Sequence, residues 1–227
     1  MTLPFYVPPE QLVKDRAEFA RKGIARGRSI VGAEYDQGVL VLAENPSATL
    51  HKISEIYDRV AFAGVGKFNE FEALRVAGTR HADLRGYLYS RSDVNAKSLA
   101  NSFSQTLGNI FTHEVKPYEV EILIAELGID GSSNHLYRVT YDGTLSDERH
   151  HCAIGGQADA LSKILEARSE QLGSLADTVN AVAAAFVEVL DREVDGWEAA
   201  ILDPAVGRRT FRRLPDTEVE EILHSAG

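Results

Sequence analysis

Three short runs in this 227-residue chain carry residue types that chemistry needs. The first, Gly64-Val65-Gly66-Lys67, sets glycine amides ahead of a lysine, an arrangement that can cradle a phosphate where a helix begins. A Walker loop has glycine where Ala61 stands and serine or threonine where Phe68 stands, so the run reads instead as a glycine turn opening a helix. The second, His150-His151-Cys152, offers soft metal ligands, but strand alternation sends the two histidines to opposite faces and the chain has no other cysteine. As a nucleophile Cys152 needs a lowered pKa and a nearby base, and without them it is a small apolar packing residue. The third groups Arg208, Arg209, Arg212 and Arg213 around Phe211. That composition resembles an RNA-stacking patch, but a strand near an acidic helix favours a solvated or subunit-pairing edge. Spacing alone yields no catalytic constellation, and neither a metal nor a cofactor is expected.

Composition narrows the classes further. Twenty-four Lys and Arg against 34 Asp and Glu leave a net charge of -10, and such a surface repels phosphate backbones and anionic headgroups, which disfavours nucleic acid and membranes as partners. The charge is uneven: Lys14, Arg16, Arg21, Lys22, Arg26 and Arg28 outnumber Glu10, Asp15 and Glu18 in the first 28 residues. A single cysteine excludes an internal disulfide. The opening MTLPFYVPPE has no basic n-region or apolar h-region, and no window approaches the ~18 apolar residues of a membrane span, so a cytoplasmic protein is expected.

The elements that must position any site follow from periodicity. Pro4, Pro8 and Pro9 keep residues 1–8 extended as a mobile arm, and Pro9 opens a helix over 9–22 that Gly23 stops. Hairpin signals follow around Asp36-Gln37-Gly38, with further strands at 51–53 and 60–63. Helical spacing is predicted over 66–87 and 93–111, an apolar strand over 119–127, and a hairpin around Asp142-Gly143. Helices over 157–171 and 174–190, a strand pair at 197–202 and 210–214, and a helix over 217–224 complete the chain. The order is explained by an α+β fold, a four-layer αββα sandwich with two antiparallel sheets between helical layers, better than by βαβ alternation. One domain over 9–227 is expected, its sandwich occupying 28–227.

Several segments, in order and spacing, resemble proteasome α subunits. They include Glu18-Phe19-Ala20-Arg21, Gly27-Arg28-Ser29-Ile30-Val31-Gly32, Gly38 to Ala43, Leu50-His51-Lys52-Ile53 and Asp58-Arg59-Val60-Ala61. Arg85-Gly86-Tyr87, Lys116-Pro117-Tyr118-Glu119-Val120-Glu121, Leu136 to Gly143 and Phe211-Arg212-Arg213 resemble the actinobacterial branch in particular. The resemblance covers nearly the whole chain. It implies an N-terminal-nucleophile-hydrolase-type sandwich, a seven-membered α ring capping rings of β subunits, and a barrel that admits unfolded protein under α-ring control.

What the resemblance implies for individual residues is more specific. Arg28 stands where a catalytic β subunit begins with its threonine, Glu44 where the activating aspartate lies, and Lys52 near the activating lysine. Nucleophilic catalysis needs a hydroxyl or thiol beside its base, and Arg28 offers neither, so a non-catalytic subunit is implied. Thr2, Leu3, Pro4, Phe5, Tyr6, Val7 and Pro8 correspond to a gate, in which seven copies of Phe5 and Tyr6 can bury one another at the axis. Lys52 matches the lysine that receives the C-terminal carboxylate of a ring ATPase or other activator. Glu18 and Gly27 join it in that site, with Gly66 and Lys67 as the opposite wall, where Lys67 replaces an apolar residue. Two other classes remain open: a stand-alone amidohydrolase of the same fold, which needs processing to a free N-terminal Thr, Ser or Cys, and a nucleic-acid module built on the basic helix and Arg208 to Arg213.

Overall fold

The computed structural model describes residues 8–128 and 131–225. Among them the chain forms helix α1 (Pro9–Ala25), strands β1 (Ile30–Tyr35), β2 (Gly38–Glu44), β3 (Ile53–Tyr57) and β4 (Val60–Gly66), then helices α2 (Phe68–Leu88) and α3 (Ala96–His113). Strands β5 (Val120–Glu126), β6 (His135–Val139), β7 (Leu145–Glu148) and β8 (His151–Ile154) follow. Helices α4 (Ala158–Ala167) and α5 (Leu175–Leu190), strands β9 (Trp197–Leu202) and β10 (Phe211–Leu214), and helix α6 (Asp216–His224) close the order. Two five-stranded sheets result, β10-β9-β2-β1-β8 and β3-β4-β5-β6-β7, with antiparallel pairing throughout.

Strand alternation distributes the apolar residues over three cores. Along β2, Val39, Val41 and Ala43 face the other sheet while Leu40 and Leu42 face helices. Along β5, Leu123 and Ala125 enter the same inter-sheet core while Val120, Ile122 and Ile124 turn to α2 and α3. The outer core of the first sheet is closed by Leu161 and Leu165 of α4 and by Val179, Val182 and Phe186 of α5. That of the second is closed by Phe71 and Leu74 of α2 and by Leu99, Phe103 and Leu107 of α3. This is the expected αββα sandwich. It also explains why β2 and β5 read as unbroken apolar runs: each is covered on both faces. Truncating a wholly buried member such as Leu40 or Ile122 to Ala is expected to cost about 2–5 kcal/mol.

Helix α1 belongs to neither helical layer. Its Ala20 and Ile24 enter the inter-sheet core, so it plugs one end of the sandwich against β4 and β5. The expected stop at Gly23 does not occur. A Cβ there would lie 2.2 Å from the Glu119 Oε2, so this glycine serves close packing, and burial of Ile24 carries the helix to Ala25. Other boundaries move for local reasons. α2 starts at Phe68 because Gly66 is still in β4, at φ +109°, where a Cβ would meet the Glu119 carbonyl. α3 starts at Ala96, where Asn95 accepts from the Ser98 N–H at 2.9 Å, after a separate 3-10 turn. The run over 157–171 breaks after Ala167, where the Arg168 N–H is shared by the Ile164 and Leu165 carbonyls, each at 3.1 Å. β3 begins at Ile53, leaving His51 and Lys52 in the preceding loop. Of the gate residues, only Pro8 lies among the described residues: its extended backbone leads into α1 and its carbonyl accepts from the Leu12 N–H at 3.1 Å.

Candidate functional site

The connector from α1 to β1 sets the site. Gly27 approaches the end of β4 so closely that a Cβ would lie 2.4 Å from a Val65 methyl and 3.2 Å from the Gly66 nitrogen, so any side chain here would push the two apart. The next residue, Arg28, donates from Nη1 to Glu44 Oε1 at 2.7 Å and lies 3.3 Å from the Asp195 carboxylate. Arg192 Nη2 reaches the same Glu44 oxygen at 2.6 Å. The Glu44 side chain is almost wholly buried and is matched by two guanidinium groups. These pairs compensate a charge that would otherwise be expensive to bury. Beside them a cavity of about 140 Å³ is lined by Gly27, Arg28, Glu44, Gln157 and Phe186 among others.

Lys52 turns its ammonium into this cluster, donating to the carbonyls of Arg28 at 3.1 Å and Glu44 at 3.0 Å. Burial pushes its pKa down to about 8; Glu198 and Glu44 partly offset this, and the Arg28 charge adds to the lowering. The three positions that the sequence aligns with a nucleophile and its activators are therefore brought together, but they form an ion cluster. The Arg28 nitrogen is in a peptide bond and its side chain is committed to carboxylates. The Ser29 hydroxyl is buried and accepts from the Gln157 N–H at 3.0 Å. The geometry instead suits recognition of an anion by an ammonium already oriented by two carbonyls.

Of the five residues aligned with activator binding, Gly27 packs against Gly66 here and Lys52 bonds to the carbonyl of Arg28, the neighbour of Gly27. Lys67 follows directly, its N–H bonded to the Glu119 carbonyl and its exposed side chain 3.9 Å from Glu70. Glu18 sits on the exposed face of α1 and pairs with Lys22 at 2.7 Å, a contact that holds its carboxyl below the ordinary range.

The structure adds residues that sequence reasoning missed. Glu198 of β9, 6% exposed, accepts from the N–H groups of Lys52 at 2.9 Å and Ile53 at 3.1 Å, from Asn45 Nδ2 at 2.8 Å and from Arg213 Nη1 at 2.5 Å. Asn45 also donates to the Leu50 carbonyl at 2.7 Å, so it braces the loop that carries Lys52 from within. One signal was available: a glutamate inside the apolar run Trp197-Glu198-Ala199-Ala200-Ile201-Leu202 must find donors if that strand is buried.

The other constellations resolve into packing and pairing. Gly64 and Gly66 lie in strand β4. His150 lies outside β8 with φ 63°, so strand alternation does not govern it as expected, and its ring approaches Glu34 at 3.2 Å. Cys152 is 2% exposed and burial pushes its thiol pKa up, away from thiolate chemistry. Each arginine of the suspected RNA patch meets a carboxylate: Arg208 with Asp58, Arg209 with Glu55, Arg212 with Glu218 and Arg213 with Glu198. Among the described residues no three His, Cys, Asp or Glu side chains gather as a metal site, and no helix is long and apolar enough to cross a membrane.

Comparison with known proteins agrees with this architecture. A family model described as Proteasome subunit matches residues 24–202, a stretch that runs from Ile24 at the end of α1 to Leu202 at the end of β9. The chain is 53% identical to a proteasome subunit alpha of Thermomonospora curvata over 230 aligned positions, covering 98% of each chain. It is 51% identical to those of Acidimicrobium ferrooxidans, over 98% of this chain and 97% of the relative, and Kineococcus radiotolerans, over the whole of both. The chain therefore belongs to the proteasome subunit family, among its α-type members of actinobacterial kind.

Proposed function

We propose that the chain is the non-catalytic α subunit of a cytoplasmic proteasome core particle. Seven copies form an outer ring that templates assembly with β subunits, whose active sites hydrolyse unfolded protein. The arm Thr2 to Pro8 gates entry, and the pocket around Lys52 docks a ring ATPase through a C-terminal carboxylate. The observation that carries the non-catalytic reading is Arg28: at the aligned nucleophile position stands a guanidinium tied to Glu44 and Asp195, a side chain that offers neither a hydroxyl nor a thiol. Docking is supported by the ammonium of Lys52, held at the Arg28 carbonyl next to Gly27, which itself packs against Gly66.

The test is to purify the chain alone and with its β partner, and to measure native mass and peptide hydrolysis of each. The expected result is no peptidase activity from the chain alone and activity from the mixed barrel. Activity of the chain alone that disappears on mutating a Ser or Thr overturns the reading. In the mixed barrel, deleting Thr2 to Pro8 raises the rate of peptide hydrolysis, and an unchanged rate removes the gate.

A further inference from the structure

We infer that Glu198 is a positioning residue for the docking site: its buried carboxylate fixes the loop 45–52 so that the Lys52 ammonium faces an incoming carboxylate. The inference rests on the docking role proposed for Lys52. Glu198 lies on β9, opposite Ala43 of β2, and its two oxygens gather donors from three separate parts of the chain. Two are consecutive backbone N–H groups, of Lys52 and Ile53, so the carboxylate holds the peptide planes that set where the lysine side chain leaves the backbone. A third is Asn45, at the other end of the loop, whose amide spans to the Leu50 carbonyl; the Ser47 hydroxyl accepts from the Leu50 N–H at 3.0 Å and completes the brace. The fourth is Arg213 of β10, which also donates to the Ile53 carbonyl at 2.6 Å and so ties the same residue from its other side. His51 approaches the carboxylate at 3.4 Å.

No carboxylate forms an ion pair with Lys52 among the described residues, so Glu198 acts on it in two ways. Through backbone bonds it fixes direction, and through its charge it supports the ammonium against burial. The two are separable. Glu198→Gln removes the negative charge and turns one of the two accepting oxygens into a donor, so it loses the charge and part of the brace together. Asn45→Ala keeps the charge and removes the brace.

The experiment uses the assembled α and β barrel and a fluorescently labelled heptapeptide bearing the C-terminal sequence of a ring ATPase that stimulates it, with the C-terminal amide as control. Affinity is measured from pH 6.5 to 9.5, and native mass is recorded for each variant. Glu198→Gln is expected to weaken binding at least tenfold and to move the pH midpoint of binding downward, because the ammonium loses its supporting charge. Asn45→Ala is expected to weaken binding with the midpoint unmoved. Loss of affinity without a midpoint shift in Glu198→Gln removes the electrostatic half of the inference, and unchanged affinity in both variants overturns it. If Glu198→Gln does not assemble, Asn45→Ala decides, and wild-type affinity there counts against the positioning role. Lys52→Ala separates the two levels: wild-type binding by that variant removes the docking role itself, whereas lost binding there with unaffected Glu198→Gln and Asn45→Ala removes only the role of Glu198.

Discussion

Two lysines at the α1 end of the sandwich meet opposite electrostatic surroundings. Lys116 lies 2.7 Å from Glu70 and 2.9 Å from Glu119, with the Phe19 ring at 5.4 Å, and these carboxylates outweigh its burial and raise its pKa. Lys52 is held by two neutral carbonyls, and burial lowers its pKa. The difference lies in what each cation lacks. Lys116 is neutralised within the chain and fastens α1, α2 and the lead into β5. Lys52 has no carboxylate in an ion pair with it among the described residues, only the partial support of the Glu198 and Glu44 charges, so its ammonium can still take an anion as a direct partner.

The largest expected effect breaks this contrast at its receptive side. Lys52→Ala in the assembled barrel should bring ATPase-dependent protein degradation down to the rate measured with the ATPase omitted. The measurement is degradation of an unfolded protein substrate with and without the ATPase, and stimulation equal to wild type would show that the Lys52 ammonium serves something else.

A second, smaller effect follows from acidity. Only the ammonium form attracts a carboxylate, and it predominates below a pKa of about 8 and is lost above it. Binding of the ATPase tail should therefore fall about tenfold from pH 7 to pH 9, following the charged fraction of Lys52. Lys116, shifted the other way, stays charged over this range, so its links should hold while docking weakens. Binding that stays flat across this window would mean that the lysine is more solvated in the ring than in the chain.

The contrast between the lysines also shows how far sequence could reach. The sandwich was legible because the order of strand and helix pairs fits two sheets between helical layers, and the clustering of Arg28, Glu44 and Lys52 because the family resemblance aligned them. Gly23 misled because a local rule for helix ends was applied to a glycine whose neighbour, Glu119, comes from β5's approach 96 positions away. Glu198 escaped for the same reason: its donors at 45, 52, 53 and 213 share no spacing pattern with it. Boundaries at Ile53 and Ala96 moved where a side-chain carboxylate or amide, and not the ladder or helix alone, took the first N–H groups. Local pattern thus gives the elements, while the pairing of buried charge depends on contacts that only the folded chain creates.

The smallest effect concerns the neutralised lysine. Lys116→Met removes the ammonium that lies over Phe19 and leaves Glu70, a buried carboxylate, with the Glu119 N–H at 2.6 Å and the distant Lys67 as its remaining partners. An under-satisfied buried acceptor costs about 1–3 kcal/mol, toward the lower end here because Lys116 is partly exposed and Glu70 keeps one good donor. For a chain of this size that is a fall of roughly 2–6 °C in melting temperature. Docking should keep its wild-type affinity and pH midpoint, since no bond joins Lys116 to the Lys52 cluster. A thermal melt at pH 7.5, run beside the binding titration, distinguishes the two lysines: a Lys116→Met barrel that melts like wild type but loses docking would mean that the α1 fastening, and not the Lys52 ammonium, makes the site.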